Sequence, residues 1–185
     1  MDQPAEQYEV LDEHCHKTGQ VLDRATVHKQ ELWHEVVNVW VMNTQGELLM
    51  QLRSSGMELA PNVWDVTIGS HLRPGEEPIA AAQRALESAF RVTVAPEELK
   101  HLFNIQCANP MPNGTTHKVF GHVFMVQRDF DIAQLPFDQH KIAQLAWVPL
   151  SALMAEVGSQ DTKDKYFPRA NNYYPQLFTA FQTWM

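Results

Sequence analysis

Residues 69–92 read GSHLRPGEEPIAAAQRALESAFRV, and the organisation of the chain follows from how this stretch must fold. Arg73-Pro74-Gly75-Glu76 sets Pro and Gly at the two central positions of a type II turn, where Pro fixes the first φ and Gly accepts a positive second one. Pro78 then suits the first helical position, where a missing N–H loses no partner, and Glu76 and Glu77 complement the positive helix end. Ile79, Ala82, Leu86 and Ala89 or Phe90 recur at three- and four-residue steps. This spacing predicts a helix to about Val92 with an apolar stripe packed on a sheet.

Both flanks supply strands. Val36 to Met42 and Leu48 to Leu52 are strand-like runs joined by Asn43-Thr44-Gln45-Gly46, turn chemistry that predicts an antiparallel pair. After Pro61-Asn62, WDVTIGSH (64–71) reads as one strand. Leu102 to Cys107, Val119 to Val126 and Ile142 to Val148 read as further strands. A helix over Ser151 to Val157, with Ser151 as its N-cap, and another between about Pro175 and Trp184 close the chain. Tyr8 to Arg24 alternates weakly around HCHKTG, so residues 1–30 are expected to form an N-terminal arm or hairpin and 31–185 the main domain. The fold class expected is α/β (α+β), a mixed β-sheet with helices packed on it.

Composition excludes several functions. A chain of 185 residues with 44% hydrophobic and 19% charged residues is an ordinary folded domain, not a disordered, collagenous or coiled-coil protein. No apolar run nears the ~20 residues a membrane helix needs. The acidic MDQPAEQYEV lacks the basic and apolar regions of a signal peptide, so a cytoplasmic location and no membrane partner are expected. With 14 Lys and Arg against 22 Asp and Glu, the net charge of −8 repels nucleic acid, and none is expected as a partner. An anionic ligand would need a bound cation or a local basic group. Cys15 and Cys107 are too few and too far apart for a disulfide framework or a zinc ribbon, which fits a reduced compartment.

Residues 69–92 also resemble the signature of the Nudix hydrolases, Gx5Ex7REUxEExGU with U aliphatic. Glu76 and Arg84 have the required separation, and Leu86 and Val92 fall at the aliphatic positions. Ser70 and Arg91 stand at the two glycine positions, and Ala85, Ser88 and Ala89 at three acidic ones. RATVH (24–28), LWH (32–34), VVNVWV (36–41), GELLMQLR (46–53), PNVWDVTIGSH (61–71) and AWVP (146–149) are similar to the branch containing isopentenyl-diphosphate isomerase. The resemblance implies the Nudix fold, a mixed sheet sandwiched between helices. It also implies a diphosphate compound bound beside the box helix, with Arg53 and His71 as ligand-binding residues and Mg or Mn as cofactor if the box is active.

Positions 85, 88 and 89 lie at i, i+3 and i+4 and share one helical face. Hard divalent cations want carboxylate oxygens, and Ala, Ser and Ala offer one neutral hydroxyl. The expectation is a degenerate box lacking ordinary Mg-dependent diphosphohydrolase activity, on a protein that binds a small phosphorylated molecule or a protein partner, a homo-oligomer included. The competing reading is an active hydrolase of a diphosphate compound with metal ligands displaced to Glu76, His71 and residues outside the box. Glu76 is read as a charge at the helix start or a clamp on Arg84 in preference to a remnant ligand. Glu87, roughly 200° around the helix from position 85, is read as part of a solvated pair within the helix, with Gln83, Arg84 or Arg91 in reach. Met57 stands where the branch carries a Lys, and residues 141–147 lack the glutamate that related enzymes place before the late Trp.

His28, His34 and His71 match, roughly, the three histidines that coordinate a metal in those isomerases, and His117 is a fourth suggested by residue type. Imidazoles suit Zn, Mn or Fe better than Mg. By type alone, a hydrogen-bonding framework role is preferred for them over metal ligation. Gly69 replaces the isomerase cysteine and residues 116–119 hold no acid, so proton transfer has no evident agent and isomerisation is not expected. His14-Cys15-His16 is read as an exposed turn, and Trp33, Trp40, Trp64 and Trp147 as core or rim aromatics.

Overall fold

The computed structural model describes residues 6–157, 159–170 and 172–184. Its order is β1 (Gln7–Leu11), β2 (Lys17–Asp23), α1 (Arg24–Lys29), β3 (His34–Met42), β4 (Glu47–Arg53), β5 (Trp64–Asp65), β6 (Ile68–His71), α2 (Pro78–Phe90), β7 (Lys100–Pro110), β8 (Thr116–Gln127), β9 (Ile142–Pro149), α3 (Leu150–Val157) and α4 (Tyr173–Trp184). The main sheet has the path β5-β4-β3-β8-β7, with β6 also on β3 and β9 on β4. β3 is its centre. β8 runs parallel along one edge, from His34↔Val119 to Met42↔Gln127. The other edge is shared by β6, at Val36 to Val39, and β4, at Val41 and Met42.

Alternation along β3 builds two cores, because successive side chains point to opposite faces. Val37, Val39 and Val41 meet Ala81, Ala82, Ala85, Leu86 and Phe90 of α2. Val36, Trp40 and Met42 meet Leu153 of α3 and Tyr173, Leu177 and Phe181 of α4. Trp40 is fully buried, and its Nε1 donates to the Tyr173 hydroxyl at 3.1 Å, which satisfies the polar atom that Trp40 carries into that core.

Several expectations shift for local reasons. WDVTIGSH is two strands, not one. Thr67, between them, donates its hydroxyl to Leu49 O and accepts from Val41 N at 2.9 Å, so it stitches neighbouring strands instead of continuing its own. α2 ends at Phe90 because Arg91 turns left-handed (φ 58) and closes the last turn by donating its N–H to Glu87 O at 3.0 Å. Ser151 lies inside α3, which starts at Leu150, and is not its cap. α4 starts at Tyr173, which leaves Pro175 in the first turn, where a backbone donor would be orphaned anyway.

β1 and β2 form an antiparallel hairpin whose turn is exposed over residues 13–16, His14, Cys15 and His16 included. α1 follows directly, capped by Asp23, whose Oδ1 accepts from Thr26 N at 3.0 Å. This arm is docked. Leu11 N donates to Trp33 O at 2.9 Å, Arg24 meets Glu58 at 3.1 Å, and Tyr8, Val10 and Val27 share a small core with Leu22 and Leu32.

Candidate functional site

On the α2 side of the sheet the charged groups are paired with one another. Arg84 donates Nε to Glu76 Oε1 and Nη2 to Glu76 Oε2, both at 2.7 Å, and Arg73 N adds 2.9 Å to Oε2. Arg84 also reaches Ser70 Oγ at 3.3 Å and His71 O at 2.9 Å, tying the helix to β6. Partial burial works against the ionised form of Glu76, but the bonds from Arg84 and Arg73 outweigh it and hold the carboxyl below its ordinary range. Glu76 thus takes the clamping role. Ala85 is buried against the sheet, Ala89 is half-buried and Ser88 is exposed, so this strip of helix presents no carboxylate. Glu87 is exposed as expected, yet its recorded partner is Thr93 Oγ1 at 2.9 Å and not a residue of its own helix, because the left-handed turn at Arg91 brings residue 93 back alongside.

Arg53, expected to meet the ligand, spends its donors inside the protein. Nε goes to Ala60 O at 2.8 Å, Nη2 to Leu59 O at 2.6 Å and Nη1 to Asp65 at 3.3 Å. Arg169 takes the other Asp65 oxygen at 2.5 Å, and the Arg169 guanidinium packs over Phe167 and Tyr173. Sequence reading also missed a polar chain in which the His122 ring lies 2.9 Å from Glu35 Oε1 and 3.0 Å from Asn104 Oδ1, with His101 Nε2 at 2.7 Å from the same Asn104 oxygen. The alternation that puts Val37 toward α2 assigns Glu35 to that face as well.

The other end of β3 gathers the histidines. His34 opens β3, His71 ends β6, His117 sits near the start of β8 and His28 lies in the last turn of α1. Val36 pairs with His71 and His34 with Val119, so the strand register brings His34, His71 and His117 together, and the docked arm adds His28. One ligand nitrogen from each of the four lies within 4.8 Å of the others. His34 Nδ1 donates to Leu32 O at 2.9 Å, which fixes the ring and leaves Nε2 facing the group. Tyr8 of β1 covers the cluster, stacked at 4.4 Å on His71 and 5.4 Å on His34.

The nitrogens facing the group do not act as hydrogen-bonding framework. Both nitrogens of His28 and His117, and Nε2 of His34 and His71, are buried with no hydrogen-bond partner among the described residues. Leaving such an atom unsatisfied costs about 1–3 kcal/mol each, which a bound ion would offset. Burial lowers the pKa of all four, His34 to about 4 and His71 and His117 well below the usual imidazole value; neighbouring histidines push the same way at His34, His71 and His117, and the Arg24 charge does so at His28. At neutral pH they are four neutral lone-pair donors, and His28, His34 and His117 also line a cavity of about 10 Å³, the space of one water-sized particle. The residues fit a borderline cation such as Zn2+, with Mn or Fe also compatible, and do not suit Mg2+. Tyr8 as the cover was not legible from the sequence; its alternation with Val10 was the available signal.

A family model described as NUDIX domain matches residues 32–170. Over 148 residues the chain is 27% identical to isopentenyl-diphosphate Delta-isomerase 2 of Aromatoleum aromaticum, covering 80% of this chain and 75% of that protein. Over 99 residues it is 32% identical to Nudix hydrolase 3 of Arabidopsis thaliana, 53% of this chain and 13% of that much longer protein. The crystal structure of DR0079 from Deinococcus radiodurans superposes with a TM-score of 0.68 at 21% identity, over 94% of this chain and 98% of that one. At that identity the likeness is one of fold. No helix among the described residues is long and apolar enough to cross a membrane.

Proposed function

This chain belongs to the Nudix family, and we propose that it binds a small diphosphate-bearing molecule beside α2 without the Mg-dependent hydrolysis that the family's box usually performs. One observation carries the reading: the helix strip at 85, 88 and 89 is Ala, Ser and Ala, and the remaining box acid, Glu76, has both oxygens held by Arg84 and Arg73. Phosphoryl transfer needs metal or basic groups aimed at the charge developing on the phosphate. A box in this condition is degenerate: it aims neither. The substrate class is taken from the relatives named isopentenyl-diphosphate Delta-isomerase. Isomerisation is not proposed, since Gly69 offers no acid or base at the position of the isomerase cysteine. A cytoplasmic, reducing location accords with the two free cysteines.

The test is incubation of the protein with nucleoside diphosphate compounds and isoprenyl diphosphates plus Mg2+ or Mn2+. No metal-dependent product is expected, while binding registers as a ligand-dependent rise in melting temperature. Turnover near 1 s⁻¹ or faster, the low end of ordinary enzyme rates, rejects the proposal in favour of a hydrolase with displaced ligands. Glu76→Gln separates the two readings: such a hydrolase loses its activity, whereas a binder keeps its ligand.

A further inference from the structure

We propose that His117 closes a four-histidine centre, in which His28, His34, His71 and His117 fill every coordination position of one Zn2+-like ion, so that the ion fastens the N-terminal arm to the sheet and meets neither water nor substrate. Three protein ligands leave a fourth position open for chemistry, and four tetrahedral ones leave none. His117 is the residue that changes the count.

Several observations converge. The donor atoms all lie within 4.8 Å of one another. A tetrahedron with metal–nitrogen bonds of about 2.0–2.1 Å needs edges of roughly 3.3 Å, so a modest contraction completes it. The nitrogens facing the centre have no competing hydrogen bond. Those nitrogens are also buried from solvent, Tyr8 stacks on His71 at 4.4 Å, and the cavity that His28, His34 and His117 line beside Val27 and Leu32 holds only about 10 Å³. The acid in the wall, Glu31, accepts from Thr116 N at 2.7 Å and is engaged there. The ligands come from α1, β3, β6 and β8, and both His28 and the Tyr8 roof belong to the arm. Bridging segments far apart in sequence is what structural ions do, since the ligand set exists only in the folded chain. Four neutral imidazoles without a carboxylate also select a borderline ion over Mg2+ or Ca2+. The proposal does not depend on whether a diphosphate binds beside α2.

The probe is Co2+ alone, added to the metal-free full-length protein and followed by visible absorption. We expect one equivalent to give the intense bands of a tetrahedral centre, unchanged by azide. His117→Ala should open a position, so that azide then shifts the spectrum and Co2+ binds roughly tenfold or more weakly, as loss of a ligand shell partner does. Trypsin should cleave the arm more slowly once Co2+ is bound. Absence of stoichiometric binding, a wild-type spectrum that moves with azide, the weak bands of an octahedral site, or a His117→Ala spectrum identical to wild type overturns the proposal. Should His117→Ala fail to fold, the wild-type azide titration and a count of four nitrogen neighbours by X-ray absorption decide it without the variant.

Discussion

The two faces of the sheet handle polar chemistry in opposite ways. Under α2 the acids are paired: Glu76 with Arg84, Glu35 with His122. Under the arm the polar groups are neutral and unpaired, four imidazoles whose facing nitrogens have no hydrogen-bond partner. An acid already bonded to arginine through both oxygens stabilises the fold and is withdrawn from ligand duty. A buried lone pair with no partner destabilises the fold and keeps its capacity to bind. The proposed metal centre therefore lies on the face opposite the one that carries the family signature.

The largest expected effect extends the comparison to a third polar group, which is charged, buried and paired. Asp65 sits 6% exposed between Arg53 and Arg169, and Asp65→Ala leaves two guanidinium groups facing each other without a counterion. Breaking a buried pair of this kind costs about 3–5 kcal/mol, readable in urea unfolding at unchanged m. A loss under 1 kcal/mol would show that water already screens the group.

Metal loading should come next. An ion present at 100 times its dissociation constant stabilises by about 2.7 kcal/mol, which for a domain of this size is roughly 5–10 °C in Tm. Zn2+ should produce this shift and Mg2+ none; equal shifts would erase the contrast between the faces. The metal-free protein should also lose stability as pH falls below the ordinary imidazole value of 6.5. Folded pKa values lie below it, so the unfolded chain binds protons the folded chain refuses, and the loss continues to about 4, where His34 titrates. A flat stability profile between pH 6.5 and 5, with Zn2+ absent, would contradict the buried neutral cluster.

Glu76→Gln sharpens the α2 side. Its loss should cost about 2 kcal/mol, the scale of a charge-assisted hydrogen bond set. Because the Glu76 pKa is depressed, its contribution is present above 4.5 and fades as pH falls through the lowered value, so wild type and variant should converge in acid. Divergence in acid would contradict the pairing. Smallest of all, Ser88→Glu on the exposed strip should change stability by less than about 0.5 kcal/mol and bring no Mg2+-dependent turnover. Turnover restored by that one carboxylate would mean the rest of a working site is already in place.

Much of the fold was legible because its signals are local. Pro74-Gly75 and Pro78 announce the start of α2, and the apolar steps from Ile79 to Phe90 announce the face it buries. Asn43 to Gly46 marks the β3–β4 turn, where Gly46 N–H donates to Asn43 O at 3.2 Å. The site was only half legible. His28, His34 and His71 carried the resemblance, but their convergence with His117 depends on β3 running parallel to β8 and on the arm folding back, neither of which leaves a periodic trace. Arg53 looked available for a phosphate because nothing local reveals that Asp65, Ala60 and Leu59 claim its donors. Thr67 split a strand that alternation alone would continue, since its hydroxyl bonds to strands distant in sequence.

The most direct measurement is an anomalous-difference map from crystals of the protein grown with Zn2+, Mn2+ and a non-hydrolysable diphosphate. The account predicts one strong zinc peak ringed by His28, His34, His71 and His117 at about 2.0–2.1 Å, and no ion on α2. A manganese peak on α2 between Glu76 and Ser88, bridged to the diphosphate, would contradict it.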